Sequence, residues 1–357
     1  MPETRSPLDA ADLRARVGKV LDAFLAARTA QLEAVSEDLA EMGEAASALL
    51  AGGKRLRPAF CYWGYRGAGG ADSEAILAAA SSLELLHACA LVHDDVMDSS
   101  DTRRGLPAAH RRFAALHELG GWRGPAEDFG VGAAILLGDL CLSWSDELLY
   151  GCGLAADALA AGKVVYDVMR TELMAGQYLD LAEQAAPVSD PVRVQRVLRY
   201  KSAKYTVERP LHLGAALAGA GAEVVGAYSA FGLPVGEAFQ LRDDILGVFG
   251  DPARTGKPAG DDLRGGKRTV LVATAAQRAD AGDRARLDRL LGDPSLDDAG
   301  VAWLRDLIVA TGARDHVETV ITELTAQGLD ALRGAPVQAS ATSVLVALAT
   351  AATQRQD

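Results

Sequence analysis

The chain is poor in aromatic residues, which make up 5% of its 357 positions, and it has no excess of positive charge. Lys and Arg number 36 against 48 Asp and Glu, a net charge of −12. A general nucleic-acid binder needs a basic face, so nucleic acid is not an expected partner. Cysteine is scarce: Cys61, Cys89, Cys141 and Cys152 are the four, with no CxxC pair and no His at zinc spacing beside them. All lie in apolar, helical-looking stretches, which predicts reduced core thiols in a cytoplasmic protein. The opening segment MPETRSPLDAADLRARVG is charged and has no apolar run of the signal-peptide kind. Apolar stretches are broken by Gly, Ser or charge before bilayer-spanning length, so no integral membrane segment is expected. Few windows alternate with period two, which argues against a sheet protein.

What is present is material for a helical core. Hydrophobic residues reach 49% and charged residues 24%, a globular balance. Val17, Val20, Leu21, Phe24 and Leu25 form one helical stripe, continued by Leu32, Val35 and Leu39 as far as the Gly52-Gly53 stop. A helix is expected to begin near Pro58. Longer ones are expected over 73–98, 131–150, 157–183, 191–218, 222–249 and 270–279. Shorter ones follow around 284–291, 297–311, 313–333 and 338–353. Breakers fall at Gly120-Gly121, at 187–191, at 219–221 and over 251–266. No linker interrupts them, so the prediction is one all-α domain spanning 1–357, a single helical bundle.

Two helix ends carry carboxylates. In Leu91-Val92-His93-Asp94-Asp95-Val96-Met97-Asp98, an apolar run stops in three acids, and Asp94 and Asp98, four apart, share a helix face. Like charges at that spacing repel, and an acid near a helix C-terminus opposes the macrodipole. A cation is therefore expected there, and hard oxygen ligands suit Mg²⁺, which keeps waters and bridges to phosphates. Phe239-Gln240-Leu241-Arg242-Asp243-Asp244-Ile245-Leu246-Gly247 repeats the arrangement. One such pair alone reads as a solvated helix terminus; two facing each other would make an acidic jaw.

Basic residues in this acidic chain are grouped. Lys54, Arg55 and Arg57 flank the Gly52-Gly53 turn, and Arg103-Arg104 follow the first aspartates. Arg offers a planar fork and Lys a point charge, both suited to phosphate. Lys54, Arg57, Arg103 and Arg104 are read as phosphate-binding, whereas Lys204 and Arg268, taken singly, read as surface charge. The combination describes a site for two phosphorylated molecules, one held through Mg²⁺ on aspartates and one directly by Arg and Lys. That is the logic of a reaction in which diphosphate leaves. Apolar walls between the jaws point to a hydrocarbon remainder.

These residues resemble the trans-isoprenyl diphosphate synthases, the polyprenyl synthetase family. The resemblance covers most of 45–275, with the C-terminal helices over 280–353 outside it. It is carried by GGKRLRP at 52–58, ELLHACALVHDDVMD at 84–98, RRG at 103–105, FQLRDD at 239–244 and TGKPAGDDLRGGKRT at 255–269. It implies a bundle around a deep central cavity, a homodimer, three Mg²⁺ ions, and condensation of isopentenyl diphosphate with an allylic diphosphate (dimethylallyl, geranyl or farnesyl). It further implies that Asp94 and Asp98 hold two Mg²⁺ with Asp95 in support, and that Asp243 holds the third with Asp244 nearby. Lys54, Arg57, His87 and Arg104 match the isopentenyl diphosphate site. Arg103, Lys201, Gln240, Lys257 and Lys267 match contacts to the allylic diphosphate, and Ser202 stands where the family commonly has Thr. Lys204 is a rival to Lys201. Apart from the resemblance, His87 reads as a core histidine. One departure stands out: many members read DDxxD in the second motif, and here the fifth residue is Gly247. The third ion then rests on Asp243, with Asp244 or Asp251 acting through water.

Product length in this family follows residues upstream of the first aspartates, here Leu86, Cys89 and Ala90. Small residues at 89 and 90 leave room beyond fifteen carbons, which favours geranylgeranyl diphosphate, C20, over farnesyl or longer (C25 and above) products. A class I terpene cyclase shares the bundle, but Gly247 lacks the ligand atom its second motif requires, and it has no use for GGKRLRP and His87. A non-catalytic partner subunit would be expected to lose Asp94, Asp98 or Asp243.

Overall fold

The structure is a computed structural model that describes residues 7–186, 190–251 and 260–354. Its described residues are helical almost throughout, as the sequence predicts. Helix α1 (Leu13–Glu33) is followed by α2 (Ala40–Leu50), α3 (Leu56–Gly67) and α4 (Glu74–Met97). The expected long element over 13–50 is thus two helices, parted by a turn that Ser36 caps through the Asp38 N–H. A two-residue hairpin, β1 (Thr102–Arg103) with β2 (Leu106–Pro107), pairs Thr102 with Pro107 and Arg103 with Leu106. Its tip, Arg104-Gly105, has φ of 54° and 76°, the positive pair that a tight two-residue hairpin turn demands.

Next come α5 (Ala109–Leu119), α6 (Ala126–Tyr150), α7 (Ala156–Ala185) and α8 (Pro191–Val197). Helix α8 continues into a π-helical stretch over Leu198–Glu208 and then into α9 (Arg209–Leu217). Helix α10 (Ala222–Phe249) runs unbroken through Pro234. Five C-terminal helices follow a short turn of helix, α11 (Asp261–Arg264): α12 (Val270–Arg278), α13 (Ala281–Leu290), α14 (Asp298–Ala310), α15 (Ala313–Ala331) and α16 (Ala339–Thr353).

Helix α4 is the central element. Ser73 caps its first turn by accepting from the Ile76 N–H at 3.4 Å, and its side chains are buried on nearly every face. By length and composition it is apolar enough to cross a bilayer, contrary to the expectation that no stretch would be. Its most apolar window is 72% buried inside the protein, so it is a core helix and Ser and Ala keep it close to its neighbours. One apolar cluster surrounds it and takes in α3, α6, α9, α16 and the first half of α10, with Tyr62, Tyr166, Tyr228 and Phe231 fully buried. A second cluster gathers the last half of α10 with α12 through α15.

The π stretch is clamped between two helices that lack side chains at the contact. A Cβ on Gly176 of α7 would fall 2.3 Å from the Lys201 backbone N, and one on Gly236 of α10 would fall 2.5 Å from the Ala203 carbonyl O. Glycine at both positions lets α7 and α10 close onto the stretch from either side, which fixes where Lys201 and Ser202 point.

Candidate active site

The C-terminal turn of α4, the π stretch, the last turns of α10 and the residues around α11 enclose a cavity of about 550 Å³. Asp94 and Asp98 stand one turn apart, and Asp98 caps the helix as its N–H donates to the Asp94 carbonyl at 2.8 Å. Asp95 faces the other way, is 2% exposed, and accepts from Arg103 Nε at 2.9 and 3.1 Å. The hairpin thus folds Arg103 back over the aspartates, 3.7 Å from Asp94 as well.

Each carboxylate of this end meets a half-buried cation. Asp94 accepts from Lys201 Nζ and from Gln177 Nε2, both at 2.9 Å. Lys201 also donates to Asp180 at 2.6 Å. Burial pushes the Asp94 carboxyl up, but the charges of Lys201, Lys267 and Arg103 bring it down to about 2. Asp98 is different. Burial, with Asp94 beside it, holds its carboxyl above the ordinary value despite the pull of Lys267. Its two oxygens are buried with no hydrogen-bond partner, and Lys267 Nζ stands 3.3 Å away. Lys267 is raised because Asp262, Asp98 and Asp94 outweigh the cost of its burial.

Across the cavity, α10 presents Gln240, Asp243, Asp244 and Gly247 on its lining. Asp244 is buried and accepts from Gln240 Nε2 at 2.8 Å. Burial, with Asp262 and Asp243 adding like charge, pushes its carboxyl up to about 8 even though Gln240 pulls the other way. Asp251 is exposed and does not line the cavity.

The second cationic group lies at the α3 end. Lys54, Arg57 and His87 line the cavity. Arg57 donates to Thr206 Oγ1 at 2.9 Å and lies 4.3 Å over the Tyr205 ring, a cation–π contact. His87 Nδ1 is shielded and without a partner; burial and the neighbouring Arg57, Arg104, Arg103 and Arg55 drop its pKa well below the usual range, so the ring is neutral. Arg55, which flanks the same glycine turn, points inward to a buried ion pair with Glu84 at 2.6 Å.

The structure therefore brings twelve of the expected site residues around one cavity, Lys54, Arg57, His87, Ala90, Asp94, Arg103, Lys201, Ser202, Gln240, Asp243, Asp244 and Lys267, while Asp95 and Asp98 lie outside its lining. Arg104 is not among them; it donates to the Leu49 and Gly52 carbonyls at 3.1 and 3.2 Å and packs on the glycine turn. Cys89 and Leu86 are fully buried behind the wall, with Cys89 Sγ 3.7 Å from His93 Nδ1. Lys204 is turned away to Glu208 at 2.9 Å and Glu172 at 3.3 Å, a partly buried network and not open surface. Arg268, read as surface charge, lines the cavity. Lys257 lies outside the described residues.

Sequence reading missed Gln177, Asp180 and Asp262, which also line the cavity. The first two sit three apart in the middle of a helix, a spacing that places both on one face. Nothing in the sequence alone aims that face at Lys201.

The donors suit a hard divalent cation. Asp98 supplies two buried oxygens that accept no hydrogen bond, Asp94 is ionised, and all candidate ligands are carboxylates. Among the described residues no three acidic, His or Cys side chains converge as a ready-made ligand set.

The polyprenyl synthetase family model matches residues 40–308. A geranylfarnesyl diphosphate synthase of Aeropyrum pernix is 34% identical over 273 residues, which is 75% of this chain and 79% of that protein. A geranylgeranyl diphosphate synthase of Methanosarcina mazei is 32% identical over 291 residues, 80% of this chain and 82% of that one. Among solved structures, a geranylgeranyl pyrophosphate synthase of Corynebacterium glutamicum, complexed with isoprenyl diphosphate and magnesium, is 40% identical and superposes with a TM-score of 0.93 over 96% of this chain and 98% of its own. Profile, relatives and fold agree with the paired acidic clusters: the chain belongs to the polyprenyl synthetase family and is a prenyltransferase of the all-α isoprenoid synthase fold.

Proposed function

We propose that the protein condenses isopentenyl diphosphate head-to-tail with an allylic diphosphate, with three Mg²⁺ ions, and that its main product is geranylgeranyl diphosphate. The observation that carries this reading is one cavity with an acidic cluster on each of two walls and a separate cationic group, Lys54, Arg57 and His87, at one end. Two diphosphates need two differently built sites, and a cyclase, which takes one, has no need of the second.

Asp94, Asp98 and Asp243 would hold the ions, with Asp95 and Asp244 behind them. When bound, Mg²⁺ neutralises the charge that grows on the departing diphosphate. Lys201, Lys267 and Arg103 add fixed positive charge there, already held in place by Asp94, Asp180, Asp98 and Asp95. The allylic C–O bond breaks with its electron pair going to diphosphate. The double bond of isopentenyl diphosphate, oriented by Lys54, Arg57 and neutral His87, then attacks the allylic carbon, and a proton is lost. Leu91, Leu173 and Phe239 keep water from the cation.

Of the three residues expected to set length, Ala90 is the one on the cavity wall, and its methyl leaves the passage open. Three further readings go with this function. A homodimer is supported by Val131, Ile135 and Leu136, exposed together on α6. A single domain is supported by α10, whose first half belongs to one apolar cluster and second half to the other. A cytoplasmic location is supported by four free cysteines.

The test is a product assay with labelled isopentenyl diphosphate, Mg²⁺ and each allylic primer in turn. A C20 alcohol after dephosphorylation, abolished by EDTA, is expected. A C15 or C25 alcohol would keep the reaction and overturn the length. Hydrocarbon formed from a preformed prenyl diphosphate, without extension, would establish the cyclase instead.

A further inference from the structure

We infer that Arg55 and Glu84 are positioning residues for the isopentenyl diphosphate end of the cavity: their buried ion pair fixes the glycine turn so that Lys54 and Arg57 face the ligand, and neither partner touches it. This rests on the reading of Lys54, Arg57 and His87 as a diphosphate site. The cations of this short segment diverge. Lys54 is exposed, Arg57 is half-buried, and both line the cavity. Arg55 between them is 7% exposed and is not part of the lining. Its φ is 55°, a left-handed conformation that is unfavourable for any residue but glycine and persists only where the surroundings enforce it.

The enforcement comes from the guanidinium. Arg55 Nη1 donates to Glu84 Oε2 at 2.6 Å, and Nη2 donates to the Leu50 carbonyl. The fork therefore ties the C-terminus of α2 and the body of α4 to the residue that precedes α3. Glu84 stands three residues before His87 on α4, a spacing that puts them on one face, yet it is buried and lies outside the cavity lining. Its charge also reaches Arg104. Burial, with Arg55, Arg103 and Arg57 nearby, holds that guanidinium below its usual range, while Glu84 pulls the other way. Arg104 in turn packs on Gly53, where a Cβ would lie 3.3 Å from its Nη2. Stability alone is a poor account of such a pair, because apolar residues of similar volume in place of a buried ion pair are often no less stable. What apolar residues lack is direction, and a turn that carries two phosphate-facing side chains needs it.

The test uses the full chain in EDTA, where titration calorimetry with isopentenyl diphosphate reports the cationic end without metal. Arg55→Met/Glu84→Leu is expected to melt near the temperature of the parent, since the pair is replaced whole. It is expected to bind isopentenyl diphosphate roughly 10–100-fold more weakly, the loss that a displacement of about 1 Å can bring. In turnover with Mg²⁺, its KM for isopentenyl diphosphate should rise while its KM for the allylic diphosphate stays that of the parent. Parent affinity for isopentenyl diphosphate in this variant, or an equal rise in both KM values, would overturn the inference. Should the double variant fail to fold, Arg55→Lys decides. It keeps a charge for Glu84 but has no second nitrogen for the Leu50 carbonyl, so weaker binding is expected and parent affinity overturns the inference. Loss of binding in Lys54→Ala, run alongside, shows that the titrated site is the cationic end. A parent that binds no isopentenyl diphosphate in EDTA would overturn the diphosphate-site reading and this inference together.

Discussion

At the scale of single residues, environment separates carboxylates that the sequence writes alike. Asp94 and Asp95 are neighbours, yet one meets Lys201 and Gln177 on the cavity wall and the other is locked behind it by Arg103. The pair Asp243-Asp244 divides in the same way, with Asp244 buried and pushed up to about 8. Its raised value has a consequence for the metal-free protein. The folded state holds the Asp244 proton from pH 4 to 8, where the unfolded chain has released it. Stability therefore falls as pH rises through that window, at about 1.4 kcal/mol per pH unit for this one group. Asp244→Asn cannot ionise, so thermal unfolding of the metal-free variant is expected to vary less between pH 5 and 8 than that of the parent. Equal pH slopes for the two proteins would mean that Asp244 is ionised in the fold. The acidic pairs themselves were legible because charge at a helix end is locally unfavourable. Which member faces the cavity was not, because that depends on Arg103 returning through a hairpin that the sequence does not announce.

At the scale of elements, periodicity located most helices to within a few residues, and α10 is found over the same span that its spacing predicts. The element over 191–218 was right in extent and wrong in kind. Its middle is π-helical from Leu198 to Glu208, a wider turn than the 3.6-residue period used to find it. The wider turn sends Lys201 to Asp94 and Lys204 to Glu208. The clamp by Gly176 and Gly236 is what holds the segment against both neighbours. Gly176→Ala puts a methyl into the Lys201 backbone and must push the stretch away from α7. The expected cost is about 1–3 kcal/mol of stability from overpacking. Turnover should fall further than stability does, since Lys201 leaves Asp94 and Asp180. A substitution that lowers the melting temperature but leaves kcat intact would show that the clamp serves packing alone. Gly162→Ala, which meets the flexible ends of Leu217 and Leu213, provides a packing control far from the lysine.

At the scale of the whole molecule, function depends on two acidic helix ends, about 150 residues apart in the chain, facing across one cavity, and on how far that cavity extends below them. The pairing of the two motifs was legible from their repetition and from the family resemblance. The depth was not, because α4, α7, α8, the π stretch and α10 all contribute wall, and a sequence shows only one wall at a time. The three residues proposed to set product length are separated by the structure into one that faces the cavity and two that do not. Ala90 lines it; Leu86 and Cys89 are packed behind, with no exposed surface. The two small neighbours at 89 and 90 should then answer differently to the same change. Ala90→Phe places a ring in the passage without displacing core atoms, so the enzyme should stay folded and its longest product should shorten by one or more five-carbon units. Cys89→Phe forces the ring into a filled core, and overpacking of that kind costs typically about 1–3 kcal/mol. Its expected signature is a lowered melting temperature with the product pattern kept in whatever protein remains folded. Sizing the dephosphorylated chains from both variants, alongside their unfolding curves, decides the matter. Shortening by Cys89→Phe and none by Ala90→Phe would mean that the passage runs down the other side of α4, toward α6.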